Sequence, residues 1–260
     1  MRSSFKLIVL LLPIQLAAAA QPEPLTGMQF VTIPAGCFSM GRDTPRAPSV
    51  GETFDRLKVE ILIAKDELPE HQVCVEPFEL AQHEVTQLQW QQVMPGAEPT
   101  DPNWPALRIS WQQARLFARK LTEQANDGYL YRLPTEAEWE FACAGGKTWS
   151  HEVPDQGLQK KVAHFWKPQP IAVGSLEPNN FGLYDMQGNA WEWTSSDYLP
   201  YTEAQHWHYH PNTDLSIQKV LRGGSHRSIP DNISCARRGH SWGDEQLPTV
   251  GFRLAREPRI

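Results

Sequence analysis

Gly182-Leu183-Tyr184-Asp185-Met186-Gln187-Gly188-Asn189-Ala190-Trp191-Glu192-Trp193 is the stretch from which the rest of the chain is most readily understood. Within twelve residues it gathers two glycines, two carboxylates, two amides and two indoles. Glycine tolerates positive φ, and Asp185 and Glu192 supply the oxygens that a hard cation prefers, so the composition predicts backbone wound tightly around something. Downstream comes Arg222-Gly223-Gly224-Ser225, and from 226 to 234 there is no cysteine.

The 260-residue chain opens with Arg2 and Lys6, an apolar run from Leu7 to Leu16 broken by Pro13 and Gln15, and Ala17–Ala20. This reads as a signal peptide over 1–20, cleaved after Ala20 and too short to stay as a membrane span. It predicts a periplasmic or secreted protein with one domain over 21–260. Its loss removes Arg2 and Lys6 and leaves 22 basic residues against 30 acidic ones, a balance of −8. Nucleic acid is therefore not expected as a partner. Export permits disulfides, and Cys37, Cys74, Cys143 and Cys235 allow three complete pairings. Cys37 and Cys74 lie in strand-like stretches, which makes a bridge between neighbouring strands a candidate and leaves Cys143 with Cys235.

Alternating residues on either side of Pro34-Ala35-Gly36 predict two short strands, and His71–Phe78 a third. Between them, 42–70 reads as a charged, solvated excursion in which 51–64 could wind into a surface helix. Thr86 caps a helix running to about Val93. Ser110 caps the best helix of the chain, with Ala114, Phe117, Ala118 and Leu121 on one apolar face. Thr135 and Glu138 have capping-box spacing for another, which Gly145-Gly146 stops. Beyond 147 the pattern turns to short strands and loops. The class is α+β with little regular structure.

Seven motifs in order, Ile33-Pro34-Ala35-Gly36 with Phe38–Gly41, Glu84-Val85-Thr86, Ile109-Ser110-Trp111, Leu133–Glu140, Gly182–Trp193, Arg222–Ser225 and Gly251-Phe252-Arg253, resemble the formylglycine-generating enzyme family, the sulfatase-modifying-factor domain. The resemblance implies an irregular, C-type-lectin-like fold and a structural Ca2+ held by the Asp185 and Glu192 side chains and the Gly188 and Ala190 carbonyls. It also implies that Cys235 pairs with Cys143, and that a second calcium site after His164-Phe165 is lost. Family members that oxidise a substrate cysteine carry a pair of cysteines after the Arg-Gly-Gly-Ser motif that binds copper(I), a soft ion that wants thiolates. Here His226-Arg227-Ser228-Ile229-Pro230-Asp231-Asn232-Ile233 stands in that place, so no copper is expected.

Trp191 and Ser225 match positions lining the family's reactive pocket. His226, Arg227, Ser228, Arg237, Arg238 and His240 are expected around it, with Trp191, Ser225, His226, Arg227 and Arg237 as the candidate catalytic residues for proton transfer and anion binding. The alternative for Arg237 and Arg238 is structural ion pairing. His206, His208 and His210 would share one strand face, as a metal site requires, although no fourth ligand is evident. No P-loop, dinucleotide fingerprint, zinc-protease helix or hydrolase triad is present.

The layout resembles family members without the cysteine pair, periplasmic proteins that help oxidise the pyoverdine chromophore. It implies an exported protein acting in oxidative maturation of a peptide or peptide-derived metabolite, with a peptide or protein as substrate. A non-catalytic lectin-like binding or scaffold module that holds a binding partner is the alternative, and formylglycine generation on sulfatases the second.

Overall fold

The computed structural model describes residues 21–43, 64–96, 98–146, 161–202 and 214–259. The signal peptide expected over 1–20, all but the last residue of the helix considered over 51–64, and the histidines at 206, 208 and 210 lie outside the described residues. Among the described residues three α-helices start where side-chain oxygens can take the unpaired N–H groups of a first turn. They are α1 (Gln87–Val93), α2 (Trp111–Ala125) and α3 (Glu136–Ala144), and each has a complete capping box, at Thr86/Gln89, Ser110/Gln113 and Thr135/Glu138. Gly145, in the left-handed region, closes α3. The apolar face of α2 is buried as its spacing predicts, through Ala114, Phe117, Ala118 and Leu121.

The described residues form twelve short strands, in chain order β1 (Phe30–Ile33), β2 (Gly36–Met40), β3 (His71–Val75), β4 (Phe78–Ala81), β5 (Tyr129–Arg132), β6 (Ala163–His164), β7 (Gln187–Gly188), β8 (Trp191–Asp197), β9 (Lys219–Arg222), β10 (Arg238–Ser241), β11 (Val250–Gly251) and β12 (Ala255–Pro258). They form two four-stranded sheets, β1-β4-β12-β5 and β10-β9-β8-β11, and two ribbons, β2-β3 and β6-β7. The strands flanking residues 34–35 do not pair with each other: β1 joins β4, and β2 joins β3. Pro34-Ala35 lacks the positive-φ residues that a two-residue hairpin needs, so the chain passes from one sheet to the other.

Two apolar clusters fill the interior. One surrounds α2 with Trp111, Phe117, Leu121, Trp193 and Phe252; the other gathers Phe38, Phe78, Leu80, Trp139, Phe141 and Met186 under α3. Cys37 and Cys74 are direct cross-strand neighbours on β2 and β3 and form a disulfide, and Cys143 at the end of α3 is bonded to Cys235. The described ends of the charged 42–70 segment are not simply solvated. Glu67 is fully buried and paired with Arg42 at 2.6 Å, because the end of the excursion folds under Gly41, whose backbone leaves no room for a Cβ beside the Glu67 carbonyl. Among the described residues no helix is long and apolar enough to cross a membrane.

Candidate functional site

The 182–193 loop is wound as its composition predicts. Gly182, Asp185, Gly188 and Asn189 all have positive φ. At Gly188 only glycine fits, since a Cβ would collide with the His164 carbonyl across the β6–β7 ribbon. The loop delivers two carboxylates into the interior. Glu192 is completely buried on β8: Trp139 Nε1 donates to its Oε2 (2.7 Å), and Arg253 closes a fork, Nε to Oε2 and Nη2 to Oε1, both 2.7 Å. Arg253 also donates to the carbonyls of Ala81, Gln82 and Tyr184. Asp185 accepts from the Gly174 N–H on Oδ2 (2.6 Å), while its buried Oδ1 has no hydrogen-bond partner.

A third carboxylate joins them. Glu84, read from sequence only as part of the motif opening α1, is fully buried, and neither of its oxygens has a hydrogen-bond partner. Burial above all, then the charges of Asp185 and Glu192, push its pKa well up against the pull of Arg253. Asp185 is raised as well, chiefly by burial. The residue set expected to hold calcium therefore fits in part. Asp185 offers one open oxygen, Glu192 is occupied by Arg253 and Trp139, and Glu84, outside the expected set, offers two. Among the described residues no group of three or more His, Cys, Asp or Glu side chains is arranged to hold a metal ion. A cation in this loop would depend on two carboxylates and backbone carbonyls.

The second element of the site begins where β9 ends. Gly223 and Gly224 both have positive φ, and a Cβ on Gly224 would lie 2.5 Å from Ile233 Cδ1. The chain then closes a small turn. Ser225 N donates to Ser228 Oγ (2.9 Å), Ser228 N donates to the Ser225 carbonyl (3.0 Å), and the two hydroxyl oxygens are 3.4 Å apart. His226 is anchored twice on one acceptor: its N–H (2.8 Å) and its Nδ1 (2.9 Å) both meet the Asn189 carbonyl. A carbonyl can only accept, so Nδ1 carries the proton and Nε2 a lone pair. Burial lowers the His226 pKa despite the Asn189 hydrogen bond, with Arg227 and His164 adding to the depression, so the ring is neutral.

Trp191 is half-buried at the start of β8. The Glu192–Arg222 register places its backbone next to the Gly223 turn, and its ring lies over Gly239 of β10. Arg227 is exposed, with its N–H on Ser225 Oγ at 3.3 Å. Ser225 and His226 are each only 2% exposed, so Trp191, Arg227 and Ser228 are the parts that meet solvent. The segment after β6 runs along this turn, Trp166 N–H donating to the Ser228 carbonyl and Lys167 N–H to that of His226.

Arg237, expected at this turn, is not there. Its guanidinium is engaged by the end of the charged excursion, 3.3 Å from Glu67 Oε1 and 3.9 Å from Asp66 Oδ1. Arg238 is likewise structural, paired with Glu136 at 2.7 Å and stacked on Tyr198 and Tyr201, and His240 stacks on Tyr198. The signal that could have placed Arg238 is in α3, Glu-Ala-Glu-Trp-Glu-Phe-Ala-Cys-Ala, where three acids sit on an otherwise apolar helix and two of them, Glu136 and Glu140, are fully buried and need buried arginines.

A family described as the sulfatase-modifying factor enzyme 1-like domain matches residues 16–258. Formylglycine-generating enzyme from Bos taurus is 27% identical, the alignment covering 90% of this chain and 76% of the relative. Serine/threonine-protein kinase pkn1 from Chlamydia pneumoniae is 29% identical over 79% of this chain, which spans only 37% of that relative's length. Among solved structures, PvdO from Pseudomonas aeruginosa superposes with a TM-score of 0.72 at 23% identity, covering 91% of this chain and 97% of that one, a likeness of fold.

Proposed function

This chain belongs to the sulfatase-modifying factor enzyme 1-like domain family, and we propose that it is an exported member which acts, without copper, in the oxidative maturation of a peptide or peptide-derived metabolite. The observation that carries the reading is the Ser225–Ser228 turn with a neutral His226 locked against Asn189. All four cysteines are in disulfides, which leaves no thiolate for copper(I) and weighs against formylglycine generation by the thiolate route. A histidine with a fixed proton on Nδ1 and a lone pair on Nε2 can take a proton from a substrate; an electron-rich precursor ring deprotonated in this way can pass two electrons to dioxygen, which leaves as hydrogen peroxide. Trp191 and Arg227 would orient the substrate at the open side.

A structural Ca2+ belongs to this proposal, held by Asp185, Glu84 and the carbonyls of Gly188 and Ala190. Glu192 could join only by releasing Arg253. When bound, the ion supplies positive charge to a loop rich in carboxylates; the chain's own part is to fix the loop that carries Asn189.

The test is turnover of pyoverdine-type precursor peptides by the mature protein in air, read by mass spectrometry as loss of two hydrogens. His226→Gln should slow it by about 10²- to 10⁴-fold, with the rate falling as acid protonates the native ring. Equal rates for the two proteins would remove His226 from the chemistry. The near-complete burial of Ser225 and His226 favours the second reading, a binding module. It stands if no precursor is turned over while a partner still binds.

A further inference from the structure

Trp166 is the most exposed large apolar side chain among the described residues, 72% open to solvent, and its backbone lies in the left-handed region at φ 53°. Asp185 and Asn189 share that region, but short polar side chains tolerate it and a bulky one does not. Strain of this kind persists where the surroundings over-determine it, and it gathers at binding and catalytic sites. Here the surroundings are explicit. The His164 carbonyl accepts from Asn189 N–H (2.7 Å), Trp166 N–H donates to the Ser228 carbonyl (3.0 Å), and Lys167 N–H donates to the His226 carbonyl (2.6 Å). His164 Nε2 meets the Gln169 carbonyl at 2.9 Å, and Ile171 N–H donates to Asn189 Oδ1 at 3.1 Å. Pro168 and Pro170 restrict the backbone between Lys167 and Ile171. Residues 164–171 are thus tied at both ends and in the middle to the turn that carries His226. None of these bonds uses the Trp166 side chain, and its exposure shows that packing does not hold it in place.

We propose that Trp166 is a stacking platform for an aromatic ring of the peptide substrate, presented at the edge of the Ser225–Ser228 turn. An indole face stacks on a second ring in an offset or edge-on arrangement, a gain that an aliphatic side chain of equal size does not give. Because the backbone under the indole is already fixed in the free protein, little further ordering is required when a ring settles on it. The site deepens the proposed oxidative maturation and rests on that reading for its occupant, the ring-bearing part of a peptide. A neutral His226 whose carbonyl is bonded to the residue after the platform is then held in a constant relation to the stacked ring.

The experiment incorporates fluorotryptophan into the full mature chain, identifies the Trp166 fluorine resonance as the one lost in Trp166→Phe, and titrates acetyl-Gly-Tyr-Gly-amide under nitrogen, where no oxidation occurs. The Trp166 resonance should move saturably, and the same peptide with cyclohexylalanine in place of tyrosine should bind more weakly. Trp166→Ala should weaken binding of the tyrosine peptide about tenfold, and Trp166→Phe should keep most of it. Trp166→Gly, which suits the left-handed backbone, should lose the affinity while raising the unfolding midpoint. A lowered midpoint would make Trp166 a structural residue and overturn the proposal. So would absence of binding, equal affinity for the cyclohexylalanine peptide, or an equal shift with maltotriose. In air, Trp166→Ala should raise KM for the precursor peptide with kcat little changed. Binding through Trp166 under nitrogen with no turnover in air would sink the oxidation and leave the platform standing, whereas turnover with an unchanged KM in Trp166→Ala would sink the platform alone.

Discussion

Two buried charge clusters lie on either side of Trp139, and they are balanced differently. Behind α3, Glu136 and Glu140 face Arg222 and Arg238, two acids against two guanidinium groups, with Arg222 2.7 Å from Glu136 and 2.6 Å from Glu140. Burial alone would lower the Arg222 pKa, and Glu136 and Glu140 with Tyr201 more than reverse it, so the network holds its charges internally. Around the 182–193 loop, the buried arginine that Glu84, Asp185 and Glu192 share among the described residues is Arg253. Three carboxylates cannot all remain ionised on one buried cation, so this cluster must take up protons or a further positive ion. The first cluster is a device for stability. The second, although buried, is left short of positive charge.

The comparison can be broken most severely on the balanced side. Arg222→Met strands Glu136 and Glu140 in the interior and should cost about 3–5 kcal/mol in urea unfolding; a loss below 1 kcal/mol would mean the network is not buried as described. On the open side, saturating Ca2+ at about 100 times its Kd should raise stability by about 2.7 kcal/mol. Glu84→Gln/Asp185→Asn should abolish that rise, and calorimetry with and without EGTA checks it.

A smaller effect sharpens the contrast through Asp66, which faces Arg237, Arg238, Glu67 and Tyr198. Burial lifts its pKa from 3.8 to about 6 against the pull of both arginines and the Tyr198 hydrogen bond. The folded chain then holds that proton more tightly than the unfolded one. Its contribution is fully present below pH 3.8 and is lost as pH rises through about 6. Asp66→Asn should flatten the fall in stability across that window by about 1–2 kcal/mol, measured as unfolding midpoints from pH 4 to 7. The smallest change belongs to Glu84→Gln without calcium. Replacing a carboxyl already pushed toward its neutral form should move stability by no more than about 1 kcal/mol, and a large loss would show that Glu84 is ionised and paired.

The local parts of this architecture were legible in the residues. Thr86, Ser110 and Thr135 cap helices because their own hydroxyl and an amide or carboxylate three residues on are all that the first turn requires, and the α2 stripe needs only its own spacing. Cys37 and Cys74 could be matched because both strands announce themselves. The charge partners could not be read in this way. Glu192 meets Arg253 across 61 residues and Arg237 meets Glu67 across 170, and nothing near either residue distinguishes a pocket arginine from a structural one. Glu84 was hidden for the same reason: beside Thr86 it looks like part of a helix start, and only the fold reveals that it points into a crowd of acids. His226 was found from its neighbourhood in sequence, but its fixed tautomer depends on a carbonyl supplied by Asn189.

Gly188 gives that last link a mechanical meaning. Because its bare α-carbon lets the backbone rest directly on His164, and because its N–H reaches the Gly223 carbonyl at 2.8 Å, the following residue, Asn189, is clamped with its N–H 2.7 Å from the His164 oxygen and its own oxygen on the imidazole. Anything that swells or slackens the acidic loop must therefore displace the ring as well. Loop winding and imidazole aim behave as one gear train whose teeth mesh through a single missing methyl group, and the proposed calcium would act on both.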